Sequence, residues 1–152
     1  MSDDLSALET WLSPLLEKIK PQERTRLARD AAREIRKNQT KRITAQKNPD
    51  GSAYEKRKQR DLRGKQGRIK KKMFQKLKMA RYLKAQGSEQ AVTVGFTGRI
   101  ARIARVHQYG LKDRAERGAP DVRYARRELL GLAKDDLKLV EDLILEHLFL
   151  EH

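Results

Sequence analysis

The stretch VTVGFTGRIARIARVHQYG, residues 92–110, changes its period part-way through. Val92, Val94 and Phe96 alternate with Thr93 and Gly95, the period of two that marks a strand with one buried face. From Arg99 onward the period lengthens. Ile100, Ile103, Ala104 and His107 fall on one narrow stripe of a helix predicted over 99–108, and Arg99, Arg102 and Arg105 face away from it. A strand that leads directly into an amphipathic helix needs a neighbour on its amino-terminal side to pair with. The turn residues Gln86, Gly87 and Ser88 supply the reversal, which places the partner strand near 80–85.

The elements around this hairpin are helical. Leu5, Leu8, Leu12, Leu15 and Ile19 recur every three or four residues, with Asp3 and Asp4 in the first turn where the helix dipole favours them. Pro14 interrupts this helix, so a kink or a restart capped by Ser13 is expected. Pro21 starts a second helix running to about Ala45, with Leu27, Ala28, Ala31, Ile35 and Ile43 inward and mostly charged residues outward. The NPDG at 48–51 is a turn, because proline presets one dihedral and Gly51 accepts a positive φ. Ser52 and Glu55 have the spacing of a capping box for a short helix. Residues 111–127 read as a polar loop around Gly118 and Pro120, with a short strand in the VRYARRELLGL that follows. Ala133, Leu137, Val140, Ile144 and Leu148 then line a final helix that opens on Asp135 and Asp136. Leu139, Leu143 and Phe149 widen its apolar side beyond what a surface helix needs; core packing within one subunit is the default reading, with packing of part of this face on a partner subunit as the alternative. The expected architecture is therefore α+β in one domain, 1–152: two N-terminal helices, a small hairpin-based antiparallel sheet, one inner helix and a C-terminal amphipathic helix.

Charge separates the function classes. The chain of 152 residues carries a net +15. Between Glu55 and Lys84 fourteen basic residues face two acidic ones, a net +12 in thirty residues. The rest reads as near neutral, so the basicity looks like one local feature aimed at a polyanion. Around RGKQGR the apolar side chains are too few to offset ordering, and about 56–68 is expected to be a mobile loop. Lys56, Arg57, Lys58, Arg60, Lys70, Lys71 and Lys72 are the candidates for contact with DNA or a protein partner. Only Phe74 and Tyr82 are interleaved with the cations, which disfavours base-specific readout. A helix-turn-helix over the first 45 residues is also disfavoured, since its turn would be built on Pro21.

Chemistry finds little support. There is no cysteine, which removes thiol nucleophiles, disulfides and thiolate zinc sites. Neither common glycine-rich nucleotide loop occurs, and three scattered histidines do not make a metal site. His107 has no hydroxyl nucleophile or carboxylate pair signalled nearby. It lies on the buried stripe in a last helical turn, where Gly110 is placed to end the helix in the left-handed conformation and the ring nitrogens are expected to reach unpaired carbonyls. No enzymatic activity, cofactor or metal is expected. No apolar run approaches the ~18 residues of a membrane span, and the acidic MSDDLSALET does not resemble a secretory signal.

Four segments, taken in order, resemble a known family: NPDGSAYEKRK at 48–58, KKKMFQKLK at 70–78, VTVGFTGRIARIARVHQYG at 92–110 and RRELLGL at 126–132. They are similar to the bacteriophage virion morphogenesis family, the tail completion proteins of contractile-tailed temperate phages. Pro49, Asp50, Gly51, His107, Gln108, Gly110 and Gly131 match its pattern, and by their own chemistry they are turn or cap residues. The resemblance implies a structural role late in assembly, finishing the tail and helping to join it to the DNA-filled head. It also implies an α+β fold, other tail and neck proteins as partners, a ring of copies, commonly hexameric, and a place in the virion after assembly in the host cytoplasm. The competing class is a basic nucleic-acid-binding module without strong sequence specificity. Such a module would bind free duplex as a monomer or dimer, whereas a ring component would assemble first.

Overall fold

The structure, a computed structural model, describes residues 2–57, 72–114 and 117–150, without the side chains of 2–5, 8, 12 and 150. Its elements are α1 (Ser2–Glu17), α2 (Pro21–Thr44), β1 (Leu83–Gly87), β2 (Val92–Phe96), α3 (Arg99–Tyr109), β3 (Lys112–Arg114), β4 (Asp121–Arg123) and α4 (Lys134–Leu150). The mixed α+β class is as the sequence predicts. The strands form two separate antiparallel pairs, β1 with β2 and β3 with β4.

α2 organises the molecule. Its buried residues Leu27, Ala28, Ala31, Ala32, Ile35 and Ile43 recur at helical spacing. The β1–β2 hairpin and α4 both pack against it. One apolar cluster joins Ile43, Tyr54, Met73, Phe74, Leu77, Ala104 and Leu129. A second joins Ile19, Leu27 and Ile144, with Leu15, Leu16, Val140, Leu143 and Leu148 packed around them. Asp136, 2% exposed, ties α4 to α2: it accepts from Ala133 N at 2.9 Å, as a capping-box acid does, and from Asn38 Nδ2 at 2.8 Å.

Several local expectations are corrected. α1 runs through Pro14 without a restart, because the Ser13 hydroxyl donates back to the Glu9 carbonyl at 2.9 Å instead of capping a new helix. No helix begins at Ser52. Its N–H and hydroxyl both donate to Asp50 Oδ1, and Ala53 forms an antiparallel bridge with Lys47, so the chain folds back along the end of α2. β1 starts at Leu83 and includes Gln86 and Gly87, which puts the reversal at Ser88–Ala91, closed by Ser88 N to Ala91 O at 2.8 Å. Gly87 serves close packing instead: a Cβ there would fall 2.4 Å from the Ala28 carbonyl carbon. In α3, Ile103 is 42% exposed and Val106 is buried in its place. Arg102, one turn before Val106 on the same side, reaches Asp113 of β3 at 2.7 Å, so the β3–β4 hairpin covers that flank. Where one loop with a short strand is expected after 111, two strands form.

Candidate functional site

The end of α2, the turn at 48–51, the end of α3 and the segment 126–131 converge on one buried polar junction. Segment 126–131 has no regular secondary structure. Leu129 is fully buried and Arg127 nearly so, and without a helix or strand ladder the backbone groups here need partners from elsewhere. Arg42 on α2 donates Nη1 to the Glu128 carbonyl and Nη2 to the Leu129 carbonyl, each at 2.8 Å, and Nη1 also to Lys47 O at 3.0 Å. The planar guanidinium suits such a fan of carbonyls. Gln39, one turn earlier and 2% exposed, accepts from Arg42 and from Gly131 N at 3.2 Å.

Gln108 performs the same service from α3. Its Oε1 accepts from Leu129 N at 2.8 Å and Leu130 N at 2.9 Å, and its Nε2 donates to Leu130 O at 2.8 Å. Asn48 Oδ1 takes the N–H of Glu128 at 2.9 Å, and the Tyr54 hydroxyl donates to Glu128 O at 2.9 Å. Burial pushes the Tyr54 phenol above its usual range. Gly110, at φ 63° and ψ 51°, ends α3 in the left-handed conformation. Pro49 lies against Gly131. Gly51, at φ 91°, closes the turn by donating to Asn48 O at 2.9 Å, and Asp50 is held below the usual carboxylate range by its bonds from Ser52. Of the seven motif positions, Pro49, His107, Gln108, Gly110 and Gly131 are thus brought together, while Asp50 and Gly51 shape the exposed turn beside them.

His107 is half-buried rather than fully buried, and it is bonded differently from the expectation. Its Nδ1 has no hydrogen-bond partner among the described residues. Its ring packs edge-on between Phe74, 4.8 Å away, and Tyr124, 5.0 Å away, and Phe74 continues the series to Tyr54 at 5.7 Å. Only the backbone of His107 reaches the segment, accepting from Arg127 N at 2.8 Å. Burial first, then the positive charges of Arg127 and Arg57, push its pKa down to about 4. The ring is neutral at neutral pH and acts as an aromatic wedge.

The basic segment is rooted in this junction at both described ends. On the way out, Arg127 Nε donates to Glu55 O at 2.7 Å and Nη2 to Lys56 O at 3.2 Å. On the way back, Gln46 brackets Met73: its Nε2 donates to Met73 O and its Oε1 accepts from Met73 N, both at 2.8 Å. Lys56, Arg57 and Lys72 are exposed at these roots. Lys58, Arg60, Lys70 and Lys71, and most of the loop expected at 56–68, lie outside the described residues.

The remaining charge is not evenly neutral. α1 and α4 together carry nine carboxylates and two lysines, a net −7, so the small net charge outside 55–84 hides an acidic helix pair and a second basic region. That region includes α2, with eight cations against three carboxylates, and the outward arginines of α3. Sequence reasoning missed Gln39 and Arg42. The available signal was Gln39 itself, a polar residue at the buried spacing between Ile35 and Ile43. Among the described residues no helix is long and apolar enough to cross a membrane.

The segments that meet here are those that carried the family resemblance, and that resemblance extends along nearly the whole chain. The chain belongs to the phage virion morphogenesis family, whose pattern matches residues 3–149. It is similar to tail completion protein S of Escherichia phage P2, with 38% identity over 147 residues, 96% of this chain and 98% of that protein. No solved structure matches.

Proposed function

We propose that the chain is a tail completion protein: a structural component that finishes the phage tail, joins it to the filled head as a ring subunit at the neck or tail end, and contacts other tail and neck proteins. The observation that carries this reading is the similarity, over almost its full length, to a protein named for tail completion. The basic segment has a part in it. A ring would gather net charge of +12 per copy around one axis, and a passage so lined attracts the phosphate backbone without reading bases. The junction supports this by fixing where the segment leaves and re-enters the folded body.

The test is an infection by the encoding phage with a stop codon early in this chain. Filled heads and unjoined tails are expected by electron microscopy, and the native chain supplied in trans should restore joined particles. Normal joined particles without the chain would overturn the proposal. The triple variant Lys70→Gln, Lys71→Gln, Lys72→Gln tests the finer point. If it folds and joins normally, the DNA-passage role is wrong.

A further inference from the structure

The outer face of the acidic helix pair carries more than charge. On α4, Glu141, Leu145 and Phe149 succeed one another at intervals of four, so they form one stripe along the helix, about a quarter-turn round from the buried Ile144. Leu145 is 36% exposed and Phe149 76% exposed. On α1, Trp11 stands one turn before the packed Leu15 and is 39% exposed. Large apolar side chains exposed on a helix that also exposes Glu141, Asp142 and Glu146 resemble the anchors of an interface.

A complementary surface exists on the same molecule. α2 and the β1–β2 hairpin border an open cleft of about 900 Å³, with Arg26, Arg29 and Arg33 along one wall and Ala85, Gly87 and Ala91 among the residues of the other. All three arginines are exposed; Arg26 lies 3.7 Å from Glu23, and Arg33 pairs with Asp30, a carboxylate on the same wall. Arg29 has no acidic or hydrogen-bond partner among the described residues. We propose that the acidic, apolar face of α1 and α4 docks into this arginine-lined cleft of a second copy of the chain. The inference deepens the ring reading above and rests on it. Two different patches meet, so the contact is heterologous, the kind that closes into rings or propagates. Pairing the exposed carboxylates of this face, Glu141, Asp142 and Glu146 among them, with the arginines of the next copy also offsets the repulsion that gathering the basic segments would create.

The test uses the full chain and two charge reversals. One variant carries Glu141→Lys and Glu146→Lys, the other Arg26→Glu and Arg29→Glu; circular dichroism and thermal melting check that each is folded. Sedimentation should show that each alone self-associates about tenfold or more weakly than the native chain, and that an equimolar mixture recovers association, because each reversed face then meets its opposite. Trp11 is the only tryptophan. Its emission should shift to the blue, and acrylamide quenching should fall, as native protein is concentrated. The proposal is overturned if the arginine variant associates as the native chain does, which would mean that acidic faces meet each other or something else. It is also overturned if the native chain stays monomeric with Trp11 accessible at every concentration while still supporting head–tail joining in infection. That last outcome would leave the tail completion reading standing.

Discussion

Pro49 and Gly131 meet across the junction: a Cβ on residue 131 would fall 2.4 Å from Pro49 Cγ and 3.0 Å from its Cβ. The obstacle is a ring in a tight turn, which cannot swing aside like the end of a flexible side chain. Gly131→Ala should therefore destabilise the protein by about 1–3 kcal/mol in denaturant unfolding, the usual cost of overpacking. Combining it with Pro49→Ala should recover part of that loss, because the two changes share one contact. Simple additivity would show that the contact is not the cause.

Gln108 satisfies three backbone groups of the 129–130 segment at once. Gln108→Leu keeps the volume and leaves all three unpaired, at roughly 1–3 kcal/mol for each that water cannot reach. Gln108→Glu keeps the two acceptor contacts but sets a second oxygen against the Leu130 carbonyl in place of the donated bond. The expected order of melting temperatures is native, then Glu, then Leu. Equal losses in the two variants would contradict the assigned bonding.

His107 makes stability depend on pH in a stated direction. Its pKa falls from 6.5 to about 4 on folding, so between those values the unfolded chain binds the extra proton. Stability therefore rises with pH through that window, is flat above it, and loses this contribution as pH drops towards 4. His107→Phe keeps an aromatic wedge and removes both the titration and the unpaired Nδ1. Its melting temperature should exceed the native one by a margin that grows as pH falls from 6.5 to 4. A constant margin would place the pH dependence elsewhere.

Arg42→Lys keeps the charge but not the planar fork that spans the carbonyls of Glu128 and Leu129. A loss of roughly 1.5–3 kcal/mol is expected, the range for hydrogen bonds to charged groups. The measurement is equilibrium unfolding, and a change below about 0.5 kcal/mol, the scale of an ordinary surface substitution, would show that the fork is not needed.

The period change at 92–110 and the stripe of α2 were readable because local periodicity reports which face is buried. Gly87 was misread as a turn residue since a glycine in a strand and a glycine in a turn look alike until its neighbour, Ala28, is known. His107 was readable as turned inward, though it is only half-buried. Its ring partners were not, because Phe74 and Tyr124 lie far away in the chain. The segment 126–131 has no period to detect: its hydrogen bonds run to the side chains of Gln39, Arg42, Asn48 and Gln108, and no local pattern predicts such pairings. The acidic α1 and α4 were hidden by cancellation in the net charge.

The bonds that hold segment 126–131 join residues far apart in the chain, Arg42 to Glu128 and Gln39 to Gly131 among them, separated by 86 and 92 positions. Contacts of such range form late, after the loops between them have closed, and they slow folding. Arg127, which clasps the carbonyls of Glu55 and Lys56, belongs to this late-arriving segment. The outgoing root of the cationic stretch is therefore fixed only once the carboxy-terminal third of the chain has been made and docked. A truncated or half-folded copy would lack that clasp, so if the segment serves as proposed, only molecules folded to their carboxy-terminal third would hold its outgoing root in place.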